Sequence, residues 1–114
     1  MPLSVNNSIS ALNALSTKQN VTANNIANSE TKGFKKSTAV LEESSTGAVN
    51  SRIQTVNTPG TIIPQADGTL EEMSNVDLIQ ETTAMITTRH AYEANLKALK
   101  ISTAMEDNAL DMIG

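Results

Sequence analysis

His90 is the only histidine of the chain, and Glu93, three positions on, would share its face if the segment is helical. An imidazole and a carboxylate at that spacing could supply part of a metal site. A closed site needs about four ligands, however, and the chain has no cysteine to help complete one. Glu42-Glu43 and Glu71-Glu72 put carboxylates side by side. Acid–base pairs face each other across a substrate, whereas immediate sequence neighbours read as a solvated loop or helix start. Lys32, Lys35 and Lys36 form a small basic cluster around Phe34, but a net charge of −4 opposes general nucleic-acid binding. There is no glycine-rich phosphate loop, no nucleophile elbow and no Cys–His pair. The residues therefore predict no catalysis, no cofactor, no metal and no nucleic-acid partner.

Composition bounds what could position such residues. At 114 residues the chain reads as one domain over 1–114, near the lower limit for a self-sufficient core. Phe34 and Tyr92 are its only aromatic rings. Since aromatics supply much of a small core's buried area, the core is expected to be thin and the terminal helices marginal without neighbours. Lacking cysteine, the chain has no disulfide framework. No run approaches the roughly 18 apolar residues of a membrane span. The first residues lack the basic and apolar regions of a cleaved secretory signal. Residues 1–36 carry four lysines against Glu30, whereas residues 37–114 hold four basic and eleven acidic groups. Opposite signs at the two ends favour pairing within or between subunits.

The pattern predicts a mainly α fold, with long N- and C-terminal helices paired antiparallel as in a coiled coil. Val5, Ile9, Leu12, Ser16, Gln19, Ala23 and Ile26 recur at spacings of four and three, which predicts a helix over 5–28 capped by Ser4. Residues 29–74 are rich in Ser, Thr, Gly and Asn. The turn tetrad Asn57-Thr58-Pro59-Gly60, between β-prone runs, predicts a hairpin at about 50–64, with 41–49 as loop. Ser74 with Asp77 reads as a capping box ahead of a helix over 75–112. Its seam runs Leu78, Thr82, Met85, Arg89, Tyr92, Leu96, Leu99, Thr103, Glu106, Leu110, Ile113. A second line carries Ala94, Ala98, Ile101, Met105 and Met112, and Glu93 with Lys97 forms an i,i+4 pair. Two apolar lines are more than one shorter antiparallel helix can cover. Tyr92, on the seam, is expected to be a buried anchor. The acidic Glu106, Asp107 and Asp111 oppose the helix dipole and should meet lysines from the first segment or an adjacent copy.

The most distinctive stretch is Ala23-Asn24-Asn25-Ile26-Ala27-Asn28, followed by Thr31, Gly33, Phe34 and Lys35. Asparagine is a poor helix former that competes for backbone hydrogen bonds, so three in five positions at a helix end need a reason. The string resembles the N-terminal signature of the bacterial flagellar rod and hook family, A-N-N-[IL]-A-N-x-x-T-P-G-[YF]-[KR], with Lys32 in place of proline. Ser74 to Leu78, Glu81, and Arg89 through Asn95 resemble that family's C-terminal pattern, with Thr82-Thr83 where larger apolar residues are common. The middle is shorter than in hook or distal-rod members, which implies a short, proximal-type rod subunit.

The resemblance implies a structural subunit of the basal-body rod. Such a subunit is exported through the flagellar type III apparatus without signal cleavage. It polymerises in the periplasm with copies of itself and other axial proteins into the tube that transmits torque. The expected assembly contacts are Asn24, Asn25, Ile26, Asn28, Gly33 and Phe34, together with Met85, Arg89, Tyr92, Asn95, Leu96 and Leu99. The alternative reading is a small helical adaptor or secretion chaperone acting as a discrete soluble oligomer.

Overall fold

A computed structural model describes residues 3–113. Its elements are α1 (Leu3–Ala27), β1 (Ser37–Glu43), β2 (Val49–Thr55), β3 (Ile62–Pro64), β4 (Leu70–Glu72) and α2 (Leu78–Ile113). The helical pair is as expected, but the molecule as a whole mixes helix and strand and is extended. It measures 79 × 25 × 13 Å with a radius of gyration of 20.1 Å, against about 13 Å for a compact chain of this length.

α1 and α2 run antiparallel. Asn25 meets Glu81 and, further back along α1, Gln19 meets the Met85 carbonyl. At 1.5 Å per residue α1 is about 37 Å long and α2 about 54 Å. Continuing that register puts the start of α1 level with about residue 102 of α2. Every described residue from 103 onward is exposed. The expected mismatch between a long helix and one short partner is therefore present, and it appears as an overhang.

The faces that meet are only partly the predicted ones: Val5 and Leu12 of the α1 stripe are buried, and Met85, Leu96 and Leu99 of the α2 seam are half-buried. On α1, Leu12, Leu15, Thr22 and Asn25 are buried, while Ser16 and Ala23 are exposed. On α2 the buried positions are Glu81 and Thr88, with Arg89 exposed. At Leu15, Thr22 and Asn25 of α1 and at Glu81 and Thr88 of α2 the contact falls one residue before the predicted position, because the interface accepts polar side chains that an apolar count assigns to solvent. Among the described residues the buried apolar set is Val5, Leu12, Ala14, Leu15 and Ala39. With no aromatic among them, the core is thin.

The middle segment departs most from expectation. The hairpin at 50–64 does not exist: β2 pairs instead with β1, from Ser37↔Thr55 to Glu43↔Val49. Residues 41–43, read as loop, belong to β1, and Glu42 reaches Arg52 across the ladder at 2.9 Å. The chain turns at 44–48, where Ser44 donates to the Ala48 carbonyl and Gly47 has φ +86°. β3 and β4 form a second hairpin about Asp67-Gly68. There Asp67 accepts from both the backbone and hydroxyl of Thr69, which holds its carboxyl below the usual range. The Asn57–Gly60 tetrad is thus the link between two hairpins.

α2 begins at Leu78, not at 75. Its cap is Asp77, whose Oδ1 accepts from the N–H groups of Ile79 and Gln80 at 3.0 and 3.3 Å. Ser74 instead accepts from Val76 N–H and caps nothing. α1 likewise starts early enough to enclose Ser4. Glu93 pairs with Arg89 at 3.1 Å, not with Lys97.

Gly33, on the way out of α1, has φ +71°. Its Cβ position is open, with nothing within 4 Å, so a substitution meets backbone strain alone. Gly33→Val is expected to cost about 1–2 kcal/mol, the left-handed penalty of an L-residue. Lys32→Pro should cost less, losing chiefly an exposed ion pair to Glu71. Denaturant melts of the two variants compare them directly, and equal midpoints would remove the role of Gly33.

Candidate functional site: the joint between the chain ends

The segment after α1 and the segment before α2 are sewn together by backbone and amide groups. Gly33 N–H donates to the Glu72 carbonyl at 2.9 Å, and Asn75 N–H to the Phe34 carbonyl at 3.2 Å. The side chain of Asn75 accepts from Lys36 N–H at 2.7 Å and donates to the carbonyls of Val56 and Thr58. One amide thereby ties three stretches of chain at the point where α2 sets off.

Asn25 performs the matching task from α1. It is 2% exposed. Its Oδ1 accepts from Ser37 N–H at 3.0 Å, and its Nδ2 donates to the Ser37 carbonyl at 2.8 Å and to Glu81 Oε2 at 3.3 Å. Val56 N–H donates to the Lys36 carbonyl. The alternation of an antiparallel ladder then aims the N–H and C=O of Ser37 away from β2. Asn25 fills that gap as a third strand would, and in the same stroke touches α2.

The other asparagines have smaller parts. Asn24 is exposed, and its carbonyl accepts from both the backbone and the side-chain amide of Asn28. Asn28 Oδ1 then accepts from the Thr31 hydroxyl at 3.0 Å, rounding off the exit from α1. Ile26 and Phe34 are half-buried beside this joint. Asn95 donates to the Ala91 carbonyl one turn back, and Met85, Leu96 and Leu99 are half-buried along the inner side of α2. Arg89 is exposed, and Tyr92 is 38% exposed, so the tyrosine is no buried anchor within one chain. Its ring stands over an open notch, because the rotated contact line hands the inner position to Thr88.

The charged pairs correct a second expectation. Glu71 and Glu72 are not merely solvated: Lys32 pairs with Glu71 at 2.8 Å and Lys35 with Glu72. Two of the lysines expected to meet the acidic end of α2 are thus occupied within the joint. Glu72 Oε1 also accepts from Gly60 N–H at 3.1 Å. The Lys35 hydrogen bond, then that from Gly60, hold the Glu72 carboxyl below its ordinary value of 4.5. A depressed folded-state pKa adds stability that is in full force above the unfolded value and fades as pH falls through the folded one. Protection of the Gly60 amide, taken relative to its intrinsic exchange rate, should therefore fall on acidification below about pH 4.5. Glu72→Gln should abolish that step, and an unchanged acid profile in the variant would dismiss the clasp.

Sequence reasoning left Asn75, Glu72, Glu81, Thr88 and Gly60 off its set of contacts. Asn75 and Glu81 lay inside the matched C-terminal pattern and could have been found there. Thr88 and Gly60 gave no signal, because their importance arises only when distant segments meet.

Both matched stretches thus converge on this joint. Residues 6–35 match the family model described as flagella basal body rod protein, and residues 66–112 match the one described as flagellar basal body rod FlgEFG protein C-terminal. The chain belongs to the flagellar basal-body rod protein family. It is a structural rod-family protein of the flagellar basal body, and the two family models match successive, separate stretches of it. The comparison with curated proteins finds no match. Among the described residues, no group of three His, Cys, Asp or Glu side chains is placed to hold a metal ion. No described helix is long and apolar enough to cross a membrane.

Proposed function

We propose that this chain is a short, proximal-type subunit of the rod. It polymerises through its terminal helices, with copies of itself and other axial proteins, into the periplasmic tube that transmits torque. In this reading the chain reaches its site through the flagellar export apparatus. The residues Asn24, Asn25, Ile26, Asn28, Gly33 and Phe34 build the joint that aims the two helices. Met85, Arg89, Tyr92, Asn95, Leu96 and Leu99 belong to the surface on which neighbours pack.

The observation that carries this reading is the bare far part of α2. Met105, Leu110, Met112 and Ile113 are exposed, the last two by 89% and 85%. Ile79, at 80%, and Ile86 continue the apolar exposure toward the other end. A lone globular protein seldom leaves so many large apolar side chains uncovered along one helix, whereas a subunit that buries them on assembly does so of necessity. Fractionation of cells carrying a tagged chain tests the proposal. Co-purification with basal bodies, and loss of motility on deletion, are expected. A chain that stays in a discrete soluble dimer apart from basal bodies would favour the adaptor reading.

A further inference from the structure

We infer that the notch between α1 and α2 is the seat for the overhanging end of α2 from a second copy of this chain. The inference rests on the assembly reading above and names one contact within it. The notch has a volume of about 220 Å³ and is lined by Leu15, Ser16, Gln19, Thr88, Arg89 and Tyr92. Leu15 and the Tyr92 ring make its apolar walls. Two of the lining residues carry a buried polar atom with no hydrogen-bond partner, Thr88 Oγ1 and Gln19 Oε1, and Thr88 is only 3% exposed. Buried polar groups are nearly always satisfied, so unpartnered atoms in two residues of the notch lining mark a contact left incomplete in the single chain. What fits is an apolar side chain flanked by hydrogen-bonding groups.

The overhang has that chemistry. Thr103, Glu106, Asp107 and Leu110 fall on one stripe of α2 at helical spacing. Leu110 is exposed. Glu106, Asp107 and Asp111 have no cation within salt-bridge distance among the described residues. Arg89, at the rim of the notch, is mostly exposed and paired only with Glu93 on its own helix. An acidic, apolar tail therefore meets an apolar notch with a cationic rim. The contact cannot form within one chain, since Leu110 lies about twenty residues, or roughly 30 Å, beyond the notch along a continuous helix. Notch and tail are different patches, so the contact is heterologous and propagates. Copies with parallel helices would step by about 30 Å.

The absence of cysteine makes the test direct. Full-length Ser16→Cys chain is mixed with full-length Leu110→Cys chain and oxidised, both positions being exposed. A mixed disulfide is expected, well above that formed when Glu30→Cys, exposed beyond the joint, replaces Ser16→Cys. Arg89→Glu in the first chain should lower the yield about two- to five-fold, and Asp107→Arg in the second should restore it. If the copies co-sediment but Ser16→Cys cross-links no better than Glu30→Cys, the seat is overturned while assembly stands. If the copies do not associate at any concentration, the seat and the assembly reading fall together.

Discussion

Replacing Asn25 with alanine should destabilise the protein by about 3 kcal/mol, whereas Asn24→Ala, one residue away in the same cluster, should cost less than about 0.5 kcal/mol. The contrast follows from what each side chain does. Asn24 is exposed, and its contribution to the fold is made by its backbone carbonyl, which alanine keeps. Asn25 satisfies both main-chain groups of Ser37 and gives Glu81 a hydrogen bond, all in a buried setting. Its truncation orphans the Ser37 donor and acceptor together, at about 1–3 kcal/mol for each group left unsatisfied. Glu81, 8% exposed, loses its hydrogen bond at the same time. Asn25→Asp should be at least as harmful, because it removes the donor and sets a second carboxylate against Glu81. Chemical denaturation gives the stability and amide exchange at Ser37 localises the loss. A midpoint for Asn25→Ala indistinguishable from that of Asn24→Ala would refute the clamp.

That pair also shows what was legible beforehand. The oddity of the asparagine cluster could be read, since nothing in helix propensity explains it, and so could the two helices. The working faces could not. Periodicity sorts residues by polarity, and here the helix interface is built partly from polar groups: Thr22, Asn25, Glu81 and Thr88 are buried while Ala23 and Ile79 are exposed. The stripe drawn through apolar positions therefore caught Val5, Leu12, Met85, Leu96 and Leu99 but missed by one residue at Ser16, Ala23, Thr82 and Arg89. β1 was hidden for a related reason. Glu42-Glu43 looked like solvated loop, but on a two-stranded ribbon those side chains face water while their backbone pairs with Asn50 and Val49. The basic cluster and Glu71-Glu72 gave no hint of each other, because thirty-odd residues separate them and only the joint brings them within reach.

Gly60→Ala should be the most damaging single methyl group in the molecule, costing about 3 kcal/mol and loosening the second hairpin from the joint. Gly60 needs room more than freedom of φ. A Cβ placed there would lie 1.9 Å from the Met73 carbonyl oxygen, 2.8 Å from its carbon and 3.0 Å from the backbone of Ser74. None of these is the yielding tip of a side chain. The opposing strand is held in place by Met73 N–H donating to the Thr61 carbonyl at 2.8 Å and, two residues on, by the ties of Asn75. Relief therefore requires the two backbones to part, which also breaks the Gly60 N–H bond to Glu72 and releases the partner of Lys35. Gly33→Ala is the control, since its Cβ position is empty and only φ is strained. Amide exchange at Thr61 to Met73 should rise sharply in Gly60→Ala and little in Gly33→Ala, with the larger fall in melting midpoint in the former. Were Gly33→Ala the more destabilised of the two, the close approach at Gly60 would not be what fastens the middle segment to the start of α2.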